Sequence, residues 1–206
     1  MRLGALAVAL LFVVAAPPGA TARCTDGTYS FSQHRSGTCS HHGGVAQWLG
    51  RAASAPASGH VVLLAPRTRA RDCRLGALPD RACSPGATMS GLTQAVLCAP
   101  GFSTASIRNV PESEKHRVEV EYGLAPGAYG SRLEIDHIVP LELGGSNDIA
   151  NLFPERAPGF HTKDRLENAL HGFVCSGRMR LGVAQRGIAS SWPALFRRVF
   201  GSTPTV

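Results

Sequence analysis

Arg132-Leu-Glu-Ile-Asp-His-Ile-Val-Pro140, followed by Leu143-Gly-Gly-Ser-Asn-Asp148, decides the reading of this chain. The first stretch is apolar and β-branched, and Pro140 ends it, so it predicts a strand. The second has turn chemistry. Ile149 to Phe153 predicts a short second strand. Lys163 to Val174 predicts a helix, with Leu166, Leu170, Phe173 and Val174 on one face. Gly177 suits the end of that helix. Leu181 to Ile188 and Trp192 to Phe200 predict one or two further amphipathic helices. The order is strand, loop, strand, helix, followed by helical support.

The polar residues inside this frame carry the chemistry. Asp136 and His137 interrupt an otherwise apolar strand, and neighbouring strand residues point to opposite faces. Asn151 follows 14 residues after His137, and His161 ten residues after that. Asp, His, Asn and His on such a frame suit a hard divalent cation beside a general base.

Leu133-Glu-Ile-Asp-His-Ile-Val-Pro-Leu-Glu-Leu-Gly-Gly-Ser-Asn-Asp-Ile-Ala-Asn-Leu-Phe-Pro-Glu155 resembles the core of secreted bacterial HNH endonucleases. The likeness continues through Lys163-Asp-Arg-Leu-Glu-Asn168, Val174-Cys-Ser-Gly177 and Ala184-Gln185 to Trp192. Upstream it includes Cys83-Ser-Pro-Gly-Ala-Thr88, Cys98-Ala-Pro-Gly101 and Ile107-Arg108, and so covers roughly residues 73–200. The resemblance implies an α+β fold: a ββα-metal core over residues 131–176, supported by C-terminal helices, within a domain of residues 60–206. It implies Asp136 as the first metal ligand and His137 as the general base. Asn151 would brace the metal loop and orient the base. His161 would be a last ligand, with Asp164, Glu167 or water as alternatives. Glu142 and Glu155 would either support the ligands from behind or be solvated loop acids. Phe153 departs from relatives that carry Trp there, and the loop before the helix is shorter.

The same resemblance implies one divalent cation, Mg²⁺ first and Mn²⁺ or Zn²⁺ next, and hydrolysis of phosphodiester bonds in DNA or RNA. Arg132, Lys163 and Arg165, with Arg108 and the Arg197-Arg198 pair, are candidate phosphate contacts. Such contacts bind without reading sequence. No separate reading module is evident, so little sequence specificity is expected.

Outside this core, composition sets the bounds. The chain has 206 residues, with 44% hydrophobic and 17% charged, a globular balance. A formal charge of +7, carried almost wholly by arginine, favours an anionic partner. Residues 1–22 read as a signal peptide. Arg2 starts it, Leu3 to Ala16 is apolar but short for a bilayer, and Ala20-Thr-Ala22 precedes a cleavage site. An uncleaved anchor is the alternative. The expectation is a secreted, periplasmic or cell-surface protein with no stable membrane association after cleavage.

Six cysteines behind such a signal read as disulfides, and they allow 15 pairings. Local spacing suggests Cys24–Cys39 and Cys73–Cys83, leaving Cys98–Cys175. No Cys-x-x-Cys pair occurs, which argues against a zinc ribbon. Residues 23–50 form a small Cys/Gly/His-rich module and residues 51–59 an Ala/Ser/Pro linker. The module resembles a small bacterial unit found in exported proteins, which implies no activity. His34, His41 and His42 there suggest metal only weakly beside a disulfide-stapled β-hairpin, and a surface or wall contact is its candidate role. Two alternatives stand beside the nuclease: a non-catalytic adaptor on a degenerate HNH scaffold, and a nuclease toxin.

Overall fold

The computed structural model describes residues 16–17, 20–32, 38–49 and 59–206. The apolar leader, His34 and nearly all of the 51–59 linker lie outside the described residues. The fold is mixed α+β, with small sheets and three disulfides.

The N-terminal module is a three-stranded antiparallel sheet of order β2-β1-β3: β1 (Ala22–Cys24), β2 (Tyr29–Ser30) and β3 (Val45–Trp48). Cys24–Cys39 staples it. Asp26 turns the β1–β2 connection by accepting from the Thr28 N–H at 3.0 Å and the Thr28 hydroxyl at 2.6 Å, and His42 Nδ1 lies 2.7 Å from its other oxygen. These bonds hold the Asp26 carboxyl down near 2, the Thr28 hydroxyl contributing most. His42 is thus a turn partner within a stapled sheet. The expected boundary at Arg23 cuts through β1. Ala22 is fully buried and pairs with both Ser30 and Trp48. The Thr21 N–H donates to Ser30 O, and Leu49 N–H donates to Thr21 O. The folded module therefore includes Thr21 and Ala22. It packs on the larger body where Phe31 meets Phe102, ring centroids 5.7 Å apart, and where Gly101 leaves room for the Tyr29 backbone.

In the larger body β4 (Val61–Leu63) pairs antiparallel with β5 (Ala87–Met89). The short α1 (Gln94–Leu97) and the helix α2 (Glu112–Glu121) follow. β6 (Leu133–His137) then pairs antiparallel with β7 (Leu152–Arg156), placing Asp136 opposite Phe153 and His137 opposite Leu152. The second strand starts three residues later than expected, because Asp148 accepts from Ala150 N–H and sets residues 149–151 as a 3₁₀ turn. α3 (Gly159–Cys175) starts four residues earlier than expected, which puts His161 inside its first turn. α4 (Leu181–Phe200) is two helices joined at a non-helical Ser191, whose hydroxyl accepts from Ala194 N–H and caps the second helix, with Pro193 tolerated in that helix's first turn.

One apolar cluster unites these elements. Val118 from α2 and Tyr122 just after it, Phe153 from β7, Leu166 and Leu170 from α3, and Trp192 from α4 are all buried in it. Cys73–Cys83 and Cys98–Cys175 close its two sides, the second tying the end of α1 to the last residue of α3.

Candidate functional site

The pleat of β6 sends its two polar residues in opposite directions. Asp136 turns towards α3. Its Oδ2 accepts from Lys163 Nζ at 2.6 Å, and its Oδ1 accepts from the His137 N–H at 2.7 Å. Burial works to raise the Asp136 carboxyl, but the Lys163 ammonium outweighs it, and the net shift is downward, so Asp136 stays ionised. His137 turns to the other side. It is 3% exposed, and burial, aided by the charge of Arg108, lowers its pKa to about 4, so the imidazole is neutral at pH 7.

Asn147 assigns the tautomer. Its Oδ1 accepts from Asn109 N–H at 3.2 Å, and its Nδ2 donates to Ile107 O at 2.8 Å, which fixes the amide orientation. His137 Nε2 lies 3.2 Å from that same Oδ1, so Nε2 carries the proton and Nδ1 is the lone-pair nitrogen. Among the described residues Nδ1 makes no hydrogen bond.

Asn151 works behind the loop rather than on the ring. It is fully buried. Its Oδ1 accepts from Ala87 N–H and Val139 N–H at 3.1 and 3.0 Å, and its Nδ2 donates to Val139 O and Ser146 O at 2.9 and 2.8 Å. All four of its hydrogen-bonding positions are used. It ties Val139 to Ser146, while the hydrogen bond to the His137 ring comes from Asn147. Gly145 passes so close that an added Cβ would stand 1.8 Å from Val139 O and 3.0 Å from Asn151 Nδ2, so no side chain fits there.

Lys163 departs most from expectation. It is 1% exposed, and its ammonium donates to Asp136 Oδ2, to His137 O at 2.7 Å and to Glu167 Oε1 at 2.5 Å, with Glu155 Oε2 at 3.9 Å. All three N–H protons are engaged inside the protein, so it does not contact phosphate; it is a buried cation that holds the Asp136 carboxylate in place. Burial works to lower its pKa, but the surrounding carboxylates raise it above the ordinary lysine value. Glu155, which is buried, and Glu167, which is partly buried, belong to the same cluster. Burial pushes Glu155 up to about 9 and Glu167 to about 7, with Lys163 opposing both shifts and Asp136 adding to them. Arg165 is exposed on a different face of α3. It is two residues beyond Lys163 and so about 200° around α3, where its guanidinium lies over Phe196 and Phe200, 5.7 and 5.5 Å from their ring centres. Arg132 is exposed, but it precedes β6 at the end away from His137.

His161 is exposed in the first turn of α3, where its charge acts on Glu134 and Asp164. Glu134 shares a face of β6 with Asp136, and burial and these neighbouring acids raise both Glu134 and Asp164. The donor types suit a divalent cation. The two N–H donors on Asp136 leave carboxylate lone pairs for a metal, and the side chain is 19% exposed. Asp136 and His161 do not, as they stand, close into a three-ligand cluster. Among the described residues the cluster within ligating distance is Cys98, His171 and Cys175, and the disulfide between its two cysteines removes them as thiolate ligands.

Sequence reasoning passed over Asn147, whose Asn-Asp pair reads as turn chemistry. The signal that could have found it is an amide at the rim of the turn facing the strand histidine.

Comparison with known proteins identifies only the N-terminal module. A family described as a domain of unknown function (DUF3761) matches residues 17–49. Its span agrees with Thr21 and Ala22 belonging to the sheet. No curated protein and no solved structure matches the chain.

Proposed function

We propose that this chain is an exported, metal-dependent HNH endonuclease with a ββα-metal core formed by β6, β7 and α3. It hydrolyses phosphodiester bonds of DNA, and of RNA as a second substrate, with little sequence specificity. The observation that carries this reading is the division of labour at the end of β6. An ionised Asp136 and a neutral His137 with a free Nδ1 stand on adjacent residues, each held by its own partner.

His137 Nδ1 takes the proton of a water whose oxygen forms the new bond to phosphorus. The bond from phosphorus to the 3′-oxygen breaks, and that oxygen takes a proton from solvent. Asn147 keeps Nε2 protonated and so keeps Nδ1 available. Lys163 and the His137 N–H hold Asp136 in one rotamer. Asp136, with His161, would hold a divalent cation, which supplies positive charge to the phosphate oxygens and the leaving oxygen. Three disulfides fit an oxidising compartment outside the cytosol.

The test is nicking of supercoiled plasmid by the oxidised protein with Mg²⁺, Mn²⁺ or Zn²⁺, with and without chelator. His137→Ala is run beside it. Wild type is expected to nick in a chelator-sensitive way, and the variant at least about 100-fold more slowly. Equal nicking by the two proteins, or none by wild type with any of the metals, refutes the reading.

A further inference from the structure

A nuclease needs a cation on the scissile phosphate as well as a base, and several arginines of the larger body are engaged elsewhere. Arg67 pairs with Glu121, Arg69 with Asp80 and Arg117 with Glu114. Arg165 and Arg178 lie over aromatic rings. Arg108 is exposed and, like Arg132, makes no hydrogen bond or ion pair through its guanidinium among the described residues; what sets it apart is where its backbone is held.

Its backbone, in contrast, is fixed. The residues on either side of it, Ile107 and Asn109, are the two that bind the Asn147 amide, at 2.8 and 3.2 Å. The His137 ring lies 3.2 Å from the same amide. One hydrogen-bonded knot at the partly exposed rim therefore mounts both the base and the peptide that presents Arg108. The segment is also held from behind, since the 3₁₀ turn Thr104–Ser106 precedes it and Arg108 N–H donates to Thr104 O at 2.9 Å. The guanidinium charge also acts on His137, Glu134 and Asp164, in keeping with that mounting.

We propose that Arg108 is the residue that clamps the scissile phosphate, and that Asn147 fixes its place relative to the His137 base. This rests on the nuclease reading above. A guanidinium offers a planar fork of N–H donors that matches two non-bridging phosphate oxygens, and Lys cannot reproduce that fork. Charge growing on those oxygens in the transition state meets a cation already in position.

The test uses the full, oxidised protein and a fluorescent DNA hairpin, with kcat and KM measured for Arg108→Gln, Arg108→Lys, Asn147→Ala and the distant control Arg117→Gln. Arg108→Gln is expected to lose about 100-fold in kcat, with a melting temperature close to wild type and a salt dependence of kcat/KM shallower by about one unit of log–log slope. Arg108→Lys is expected to recover only a small part of the loss, and Arg117→Gln to stay within about twofold of wild type. Asn147→Ala is expected to lower kcat and to shift the His137 ring towards the Nδ1–H tautomer in ¹⁵N spectra. If wild type cleaves while Arg108→Gln keeps its kcat and salt slope, the clamp is refuted and the nuclease reading stands. A wild type that cleaves nothing with any metal refutes both.

Discussion

Replacing Lys163 by Met tests the internal logic of the site without reference to its activity. The substitution keeps an unbranched side chain of similar length and deletes one charge. Lys163 Nζ donates three hydrogen bonds, two of them to carboxylates, from a position 1% exposed. Without it, Asp136 and Glu167 face each other across an apolar gap, and His137 O loses a donor. Breaking a buried ion pair from one side costs about 3–5 kcal/mol, because the remaining charge has no compensation. For a chain of this size each kcal/mol lowers the melting temperature by about 2–4 °C, so Lys163→Met is expected to melt roughly 6–20 °C lower at pH 8. At pH 5 the deficit is expected to shrink, because the orphaned carboxylates can take up protons and lose their charge. Lys163→Met/Glu167→Gln is expected to melt higher than Lys163→Met alone, since it removes one of the two stranded charges. Calorimetry of the oxidised protein at both pH values reads all three effects. A loss below about 1 kcal/mol at pH 8, the size of an exposed pair, would show that Lys163 is a solvated surface cation and would overturn the buried-cluster description.

Three further outcomes follow from the same geometry. Glu155 and Glu167 have folded-state pKa values raised from 4.5 to about 9 and about 7. Their contribution to stability is therefore full below pH 4.5 and is lost as pH rises through 7 and then 9; urea titrations from pH 5 to 9 should show a decline that Glu155→Gln flattens. Gly145→Ala places a methyl where Val139 O already stands, and is expected to cost several kcal/mol and to break the Asn151 brace, read as loss of the Val139 amide's protection from exchange. Removing Cys98–Cys175 as the double serine variant opens a loop spanning 77 residues, and chain-entropy reasoning puts the cost at about 4 kcal/mol; a melting temperature unchanged in the double variant would contradict it.

The strands and helices that carry the site were legible because their patterns are strong. β6 announces itself by Leu133 and Ile135, with Ile138 just beyond, around a polar pair, and α3 by Leu166, Leu170 and Val174 at helical spacing. α2 was not legible. Its ten residues are mostly charged, and it buries Val118 and Glu119, whose carboxylate accepts from the N–H groups of Gly127 and Tyr129. No periodic apolar stripe marks such a helix. Lys163 misled for a related reason. A lysine in a basic chain reads as a surface charge, and only the folded packing of β6, β7 and α3 brings three acids around it.

That difference separates what the strand sequence specifies from what the fold must supply. Asp136 and His137 are adjacent in the chain, and the pleat alone sends them apart. The groups that make them unlike arrive from elsewhere: Lys163 from the second turn of α3, Asn147 from the loop, and Ile107 and Asn109 from a segment some thirty residues upstream. The 107–109 segment follows α1 in the chain, and Cys98–Cys175 joins the end of α1 directly to the end of α3, whereas Lys163 meets Asp136 between α3 and β6. Reducing that disulfide should therefore disturb the His137 side of the site before the Asp136 side. Lys163 approaches Asp136 along the packed face of α3, whereas residues 107–109 reach Asn147 through two hydrogen bonds at the partly exposed rim. Hydrogen exchange under mild reductant should show the Asn109 amide losing protection while the His137 amide, bound to Asp136 Oδ1, keeps it. Simultaneous loss at both amides would show that the two halves of the site open as one unit.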